Sequence, residues 1–165
     1  MDELNISKFL YTINQGPAEC SLFIRNFHSF DEHYLNIAYE INSYLTIARL
    51  QSRHLHSIRN HFVISPQEEV VDYYSHVAVL EPVECTLSMV IRSRRKEGLM
   101  WSFSEFCRLF CDLVEGLSVM HESGLTHNDI RPSNIYYSKQ RECFLLGSFS
   151  NVMRRTVDKV AKNVK

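Results

Sequence analysis

Glycine and proline are scarce, with 5 Gly and 4 Pro in 165 residues. That excludes a collagen-like or low-complexity chain and leaves no stretch that reads as a linker. No segment repeats at a fixed period, which excludes a solenoid. No run of eighteen apolar residues occurs, so no membrane span is expected. Met1-Asp2-Glu3-Leu4 lacks the basic start of a secretory signal. Neither sign of charge dominates: the formal net charge is -1, which points to no specific nucleic-acid partner. The 5 cysteines, Cys20, Cys85, Cys107, Cys111 and Cys143, are odd in number and form no C-x-x-C pair. Reduced thiols and a cytoplasmic or nuclear setting are therefore expected. Cys107 and Cys111 share a helix face at i,i+4 and are read as packing residues. His54, His56 and His61 are the densest histidines, yet they lack metal-ligand spacing, so no zinc is assigned.

What is present is ordinary for a globular domain: 45% hydrophobic and 22% charged residues, with length enough to bury a core. Phe9-Leu10-Tyr11 and Cys20 to Ile24 read as strands about a turn at Gln15-Gly16-Pro17. Residues 31–51 predict a helix, because Tyr34, Ile37, Ala38, Ile41, Tyr44, Leu45 and Ala48 recur at steps of three and four; Ser29 or Asp31 can cap it. Strands follow at Asn60–Ile64 and Ser75–Leu80, with an exposed turn at Ser65–Glu69. A short helix from Thr86 ends in the basic run Arg92–Lys96, read as a solvated end. Residues 102–122 form the strongest predicted helix, with Phe106, Leu109, Phe110, Leu113, Val114, Leu117 and Met120 on one wide apolar face. A hairpin of Ile135-Tyr136-Tyr137 and Phe144-Leu145-Leu146 comes next, then a basic tail over 153–165. The order predicts an α+β fold, a small antiparallel sheet with one helix followed by a helical part.

Between the long helix and the hairpin lies Thr126-His127-Asn128-Asp129-Ile130-Arg131-Pro132-Ser133-Asn134-Ile135. This resembles the catalytic loop of eukaryotic protein kinases, H-R-D-x-K-P-x-N, of the serine/threonine type. The resemblance implies Asp129 as the base for a substrate hydroxyl, Arg131 in the place of the loop lysine, and Asn134 as a magnesium ligand. It extends to Glu40 as the helix carboxylate and Arg25, after Leu22-Phe23-Ile24, as the cation that pairs with it. Read without the resemblance, Glu40 is a solvated edge residue and Leu22-Phe23-Ile24 a plain core strand. Glu81-Pro82-Val83-Glu84 resembles the hinge, with Glu81 and Val83 at the adenine edge. The implied organisation is a sheet-containing lobe over 1–84, a partial helical lobe over 85–152 with the loop at 127–134, and the tail. ATP and Mg2+ are the implied cofactors, and a protein substrate or partner is implied.

The chain departs from that family at several points. Gly16 is the only glycine where a phosphate-cradling G-x-G-x-x-G loop belongs, and backbone amides approach phosphates closely only with glycine's freedom. Phe23 stands where a small residue faces adenine. Gly147-Ser148-Phe149-Ser150 occupies the D-F-G position, so Ser148 replaces the metal-binding Asp. A hydroxyl ligates magnesium but brings no charge against the triphosphate. No A-P-E sequence follows. The reading is a truncated, degenerate kinase-like domain, a pseudokinase with weak or no transfer. Two alternatives stay open: an active serine/threonine kinase using Asp129, or an interaction module using the exposed face of helix 102–122.

Overall fold

The computed structural model describes residues 9–15, 18–28, 33–64 and 73–155. Two antiparallel strands open the chain, β1 (Phe9–Gln15) and β2 (Ala18–His28), followed by helix α1 (His33–Ala48). Strands β3 (Ile58–Ile64) and β4 (Tyr73–Leu80) complete a four-stranded sheet of order β1-β2-β4-β3, antiparallel throughout. Ser21 lies opposite Leu80 and His28 opposite Tyr73. The strands run longer than the apolar clusters predicted, because ladder pairing carries polar residues such as Asn14, Glu19 and Asn26 along with them. The predicted caps Ser29 and Asp31, the turn glycine Gly16 and the turn 65–69 lie outside the described residues.

Strand β5 (Cys85–Thr86) leads into α2 (Leu87–Glu97), which Thr86 caps by accepting a hydrogen bond from the Met89 amide. Gly98 closes α2 in the left-handed conformation glycine favours, φ 68°. Helix α3 (Phe103–Glu122) begins with a capping box: Ser102 accepts from the Glu105 amide and Glu105 accepts from the Ser102 amide. After it come β6 (Leu125–Thr126), a 3-10 turn at Pro132–Asn134, β7 (Ile135–Ser138), β8 (Cys143–Leu146), a second 3-10 turn at Phe149–Asn151, and β9 (Met153–Arg154). Strands β5, β7 and β8 form one small sheet, and β6 pairs with β9. Met153 and Arg154, at the start of the basic tail, pair with Thr126 and Leu125 as a strand.

One core joins these parts. Ile41, Tyr44 and Ile47 of α1 meet Leu55, Ile58 and Leu80, and on the other side Met120, Leu146 and Phe149. α3 reaches β8 closely at Gly116, where a Cβ would lie 3.1 Å from the His54 carbonyl oxygen and 3.3 Å from Leu146 Cδ1. The predicted wide apolar face of α3 is divided. Leu109, Leu113, Leu117 and Met120 turn to the core, whereas Phe106, Phe110 and Val114 are exposed. Cys111 is likewise exposed, which corrects the expectation that it packs inside; it lies on the outer side of the divided face. No described helix is long and apolar enough to cross a membrane.

Candidate functional site

The loop from β6 to β7 owes its path to three residues. Asn128 takes the left-handed conformation, φ 59°, which asparagine tolerates better than most residues. Its Nδ2 donates to Thr126 Oγ1 at 3.0 Å and to the Asn151 carbonyl at 3.1 Å. Arg131 is extended, φ -149° and ψ 158°, as a residue before proline prefers. Pro132 then starts the 3-10 turn, which the Asn134 amide closes onto the Arg131 carbonyl at 2.9 Å.

This path gathers Asp129, Arg131 and Asn134. Asn134 Nδ2 donates to Asp129 Oδ2 at 2.8 Å and to the Asp129 carbonyl at 2.9 Å. Arg131 Nε stands 3.3 Å from Asp129 Oδ1. The Asp129 side chain keeps 23% of its surface exposed to solvent. Beneath it, His127 is almost wholly buried. The Asp129 amide donates to His127 Nδ1 at 3.3 Å, so the proton sits on Nε2, which donates to the Gly147 carbonyl at 3.0 Å. Burial pushes the His127 pKa down, against the hydrogen bond to Gly147 and the charge of Asp129.

Gly147 ties the loop to the next segment, because its amide donates to the Asn134 carbonyl at 2.9 Å. A Cβ at Gly147 would lie 2.6 Å from Tyr136 Cε2, so glycine is required there by close approach. Ser148 follows, buried and left-handed at φ 62°, with its amide donating to the Tyr44 hydroxyl at 3.1 Å. Phe149 is fully buried and meets Tyr44 edge-on, centroids 5.0 Å apart at 71°, and His127 at 5.6 Å and 64°. Tyr44, Phe149 and His127 thus stack as a column from α1 to the loop. The resemblance places His127 in the loop and Phe149 at the D-F-G position, but Tyr44 was read only as a packing residue of α1. The signal was Tyr44, one helical turn after Glu40 on the same face.

Glu40 is buried at 3% exposure, which overturns its reading as a solvated edge residue: the wide inner face of α1 carries it inward with Ile37, Ile41 and Tyr44. Its charge bears on Tyr136, whose hydroxyl pKa is pushed up to about 12, first by burial and then by Glu40. Arg25 lies on β2 opposite His76, and its side chain is outside the described structure. Glu81 is buried, with its amide on the Ser57 carbonyl at 3.0 Å and its carbonyl accepting from His56 Nε2 at 3.0 Å. Its carboxylate pairs with Arg141; burial raises its pKa and Arg141 opposes the rise. Val83 packs with Tyr136, Cys143 and Leu145. His54 is held by Glu115 at 2.8 Å and Asp112 at 3.5 Å.

Magnesium, which the resemblance implies, is a hard cation that takes charged oxygens. Asn134 and Ser148 offer neutral ones, and the Asp129 carboxylate is already bonded by Asn134 and approached by Arg131. This donor set does not fit an ion that must offset a triphosphate.

No protein-family model matches the chain. Curated proteins do match part of it. It is 32% identical to the Wee1-like protein kinase 2 of Danio rerio over 94 residues, 52% of this chain and 18% of that protein. It is 30% identical to the serine/threonine-protein kinase Kist of Mus musculus over 80 residues, 45% of this chain and 19% of that protein. It is 38% identical over 53 residues to the membrane-associated tyrosine- and threonine-specific cdc2-inhibitory kinase wee-1.1 of Caenorhabditis elegans, 32% of this chain and 11% of that protein. The chain spans less than a fifth of the length of these relatives.

Proposed function

For a chain that is protein-kinase-like over about half its length, we propose a pseudokinase with weak or no ATP-dependent transfer to protein serine or threonine. One observation carries the reading: Ser148, a buried neutral residue, stands where the resemblance puts the metal carboxylate. Asp129 keeps the base position and Arg131 a cation beside it; Asn134 is the remaining metal-side residue. We assign Arg25 and Glu40 as the cation–carboxylate pair. The Glu81 carbonyl, which retains a second lone pair beside the His56 bond, and the Val83 amide form the adenine edge. The division into two lobes falls near residue 84, where the four-stranded sheet ends and β5 begins. The free thiols of Cys85, Cys107, Cys111 and Cys143 fit a reducing compartment, cytoplasmic or nuclear.

Removing one preorganised electrostatic contact typically costs about 10²–10³ in rate, and here a whole charge is missing. The test is incorporation of labelled phosphate into a generic protein substrate, with Asp129→Asn as control. Incorporation no greater than that of Asp129→Asn is expected. Robust turnover abolished by that substitution would overturn the reading in favour of an active serine/threonine kinase.

A second reading has its own observation. Phe103, Phe106, Phe110 and Val114 are exposed along the outside of α3, an apolar stripe of the kind that marks contact with another protein. Concentration-dependent light scattering that Phe106→Ser with Phe110→Ser abolishes would favour a non-catalytic interaction module.

A further inference from the structure

Between the end of α1 and the hairpin β7–β8 lies a cavity of about 370 Å³, within the size range of small-molecule sites. Its lining is mixed: Ile47, Ala48 and Leu55 give the apolar part, and Gln51, Ser52 and Ser57 add polar groups. Arg53 and Arg141 also line it, and among the described residues no carboxylate does. The two arginines are not equally satisfied. Arg141 gives Nη1 to the Ser52 carbonyl at 3.1 Å and Nη2 to the Glu81 carboxylate. Arg53 gives Nη2 to the Arg141 carbonyl at 2.7 Å and, among the described residues, has no carboxylate partner. An exposed guanidinium fork beside a patch of apolar side chains is the chemistry that recognises a planar or tetrahedral anion attached to an apolar body.

We propose that this cavity binds a small amphiphilic anion, a ring-sized apolar group bearing one carboxylate or phosphate. The apolar body lies on Ile47, Ala48 and Leu55, and the anion meets Arg53 with Arg141 behind it. The site is separate from the Asp129 loop and does not depend on the nucleotide reading. Its walls nevertheless connect to that loop. Ile47 is on the same helix as Glu40. The residues flanking Leu55 hold Leu146, with the Leu146 amide on the His54 carbonyl at 2.9 Å and the His56 amide on the Leu146 carbonyl at 2.7 Å. Leu146 precedes Gly147 and Ser148. A bound anion therefore braces α1 against the segment that carries Ser148.

The experiment is calorimetric titration of the full chain with phenyl phosphate, phenylacetate and, as the uncharged control, benzyl alcohol. Saturable one-to-one binding of at least one anion is expected, with benzyl alcohol weaker by about tenfold or more, a difference of about 1.4 kcal/mol. The tighter of the two anions identifies the head group. Arg53→Gln, a change at an exposed side chain, and Ala48→Phe, which fills the apolar part, should each weaken the anion by a similar factor, with melting curves confirming that both variants fold. Asn134→Ala should leave binding intact. Absence of saturable binding to the wild-type chain overturns the proposal. So does wild-type affinity in Arg53→Gln, or binding lost in Asn134→Ala alone, which would place the anion at the loop instead.

Discussion

The column of Tyr44, Phe149 and His127 makes a quantitative demand on stability. Phe149 has no exposed surface and touches both rings edge-on. Cutting it to alanine removes a buried phenyl and leaves a cavity, a change that costs about 3–5 kcal/mol. Phe149→Leu isolates the aromatic part, since it keeps most of the apolar volume and gives up two ring pairs at about 0.5–1.5 kcal/mol each. The leucine variant should therefore lose about 1–3 kcal/mol. For a chain of this length each kcal/mol lowers the midpoint by about 2–4 °C, so the expected falls are about 6–20 °C for alanine and 2–12 °C for leucine. Thermal melting followed by circular dichroism reads both. A leucine variant within about 0.5 kcal/mol of wild type, the size of an ordinary surface change, would refute the idea that ring geometry fixes the loop.

Three further outcomes follow from the same structure. Gly147→Ala forces a Cβ to within 2.6 Å of the buried Tyr136 ring, and overpacking of this kind should destabilise by about 1–3 kcal/mol; a neutral effect in urea denaturation would contradict the close approach. Glu105 is held down at about 2, from an ordinary 4.5, by the Ser102 amide, then the Ser102 hydroxyl, then Arg94. Its contribution is therefore complete above about pH 4.5 and is lost as pH falls toward 2; melting of Glu105→Gln should show a flatter acid limb, and an unchanged limb would count against the capping box. His127 is lowered by burial, so the unfolded chain takes its proton first; stability should be full above about pH 6.5 and decline below it. His127→Gln should remove part of that slope, the rest coming from His76, which burial also lowers; an identical slope would rule His127 out as its source.

Much of the architecture was legible because local signals and burial agree. The three- and four-residue spacing of Ile37, Ile41 and Tyr44 reads as one buried face, and they are buried. Ser102 and Glu105 are spaced as a capping box and form one. The loop was legible at the level of residue types, since Asp129 and Asn134 stand five apart and the turn between them brings their side chains to 2.8 Å. Long-range facts were not legible. Nothing local distinguishes Phe106 and Phe110, which face outward, from Leu109 and Leu113, which face the core; only the placement of β8 and the 54–56 segment against α3 decides it. Glu40 was ambiguous for the same reason, because a carboxylate at the edge of an apolar stripe is buried or solvated according to what packs beside the helix. The His56 contact with the Glu81 carbonyl joins residues 25 apart in sequence and has no pattern of its own.

Loss of the charge that holds magnesium and nucleotide is what we propose for this protein-kinase-like chain. Its most direct test is the melting midpoint of the chain with excess ATP, measured with and without magnesium. A ligand at about 100 times its dissociation constant stabilises by about 2.7 kcal/mol, a rise of about 5–11 °C at this length. The same midpoint with ATP is expected whether or not magnesium is present. A magnesium-dependent rise of that size would contradict it, and would mean that Asn134 and Ser148 still hold the metal.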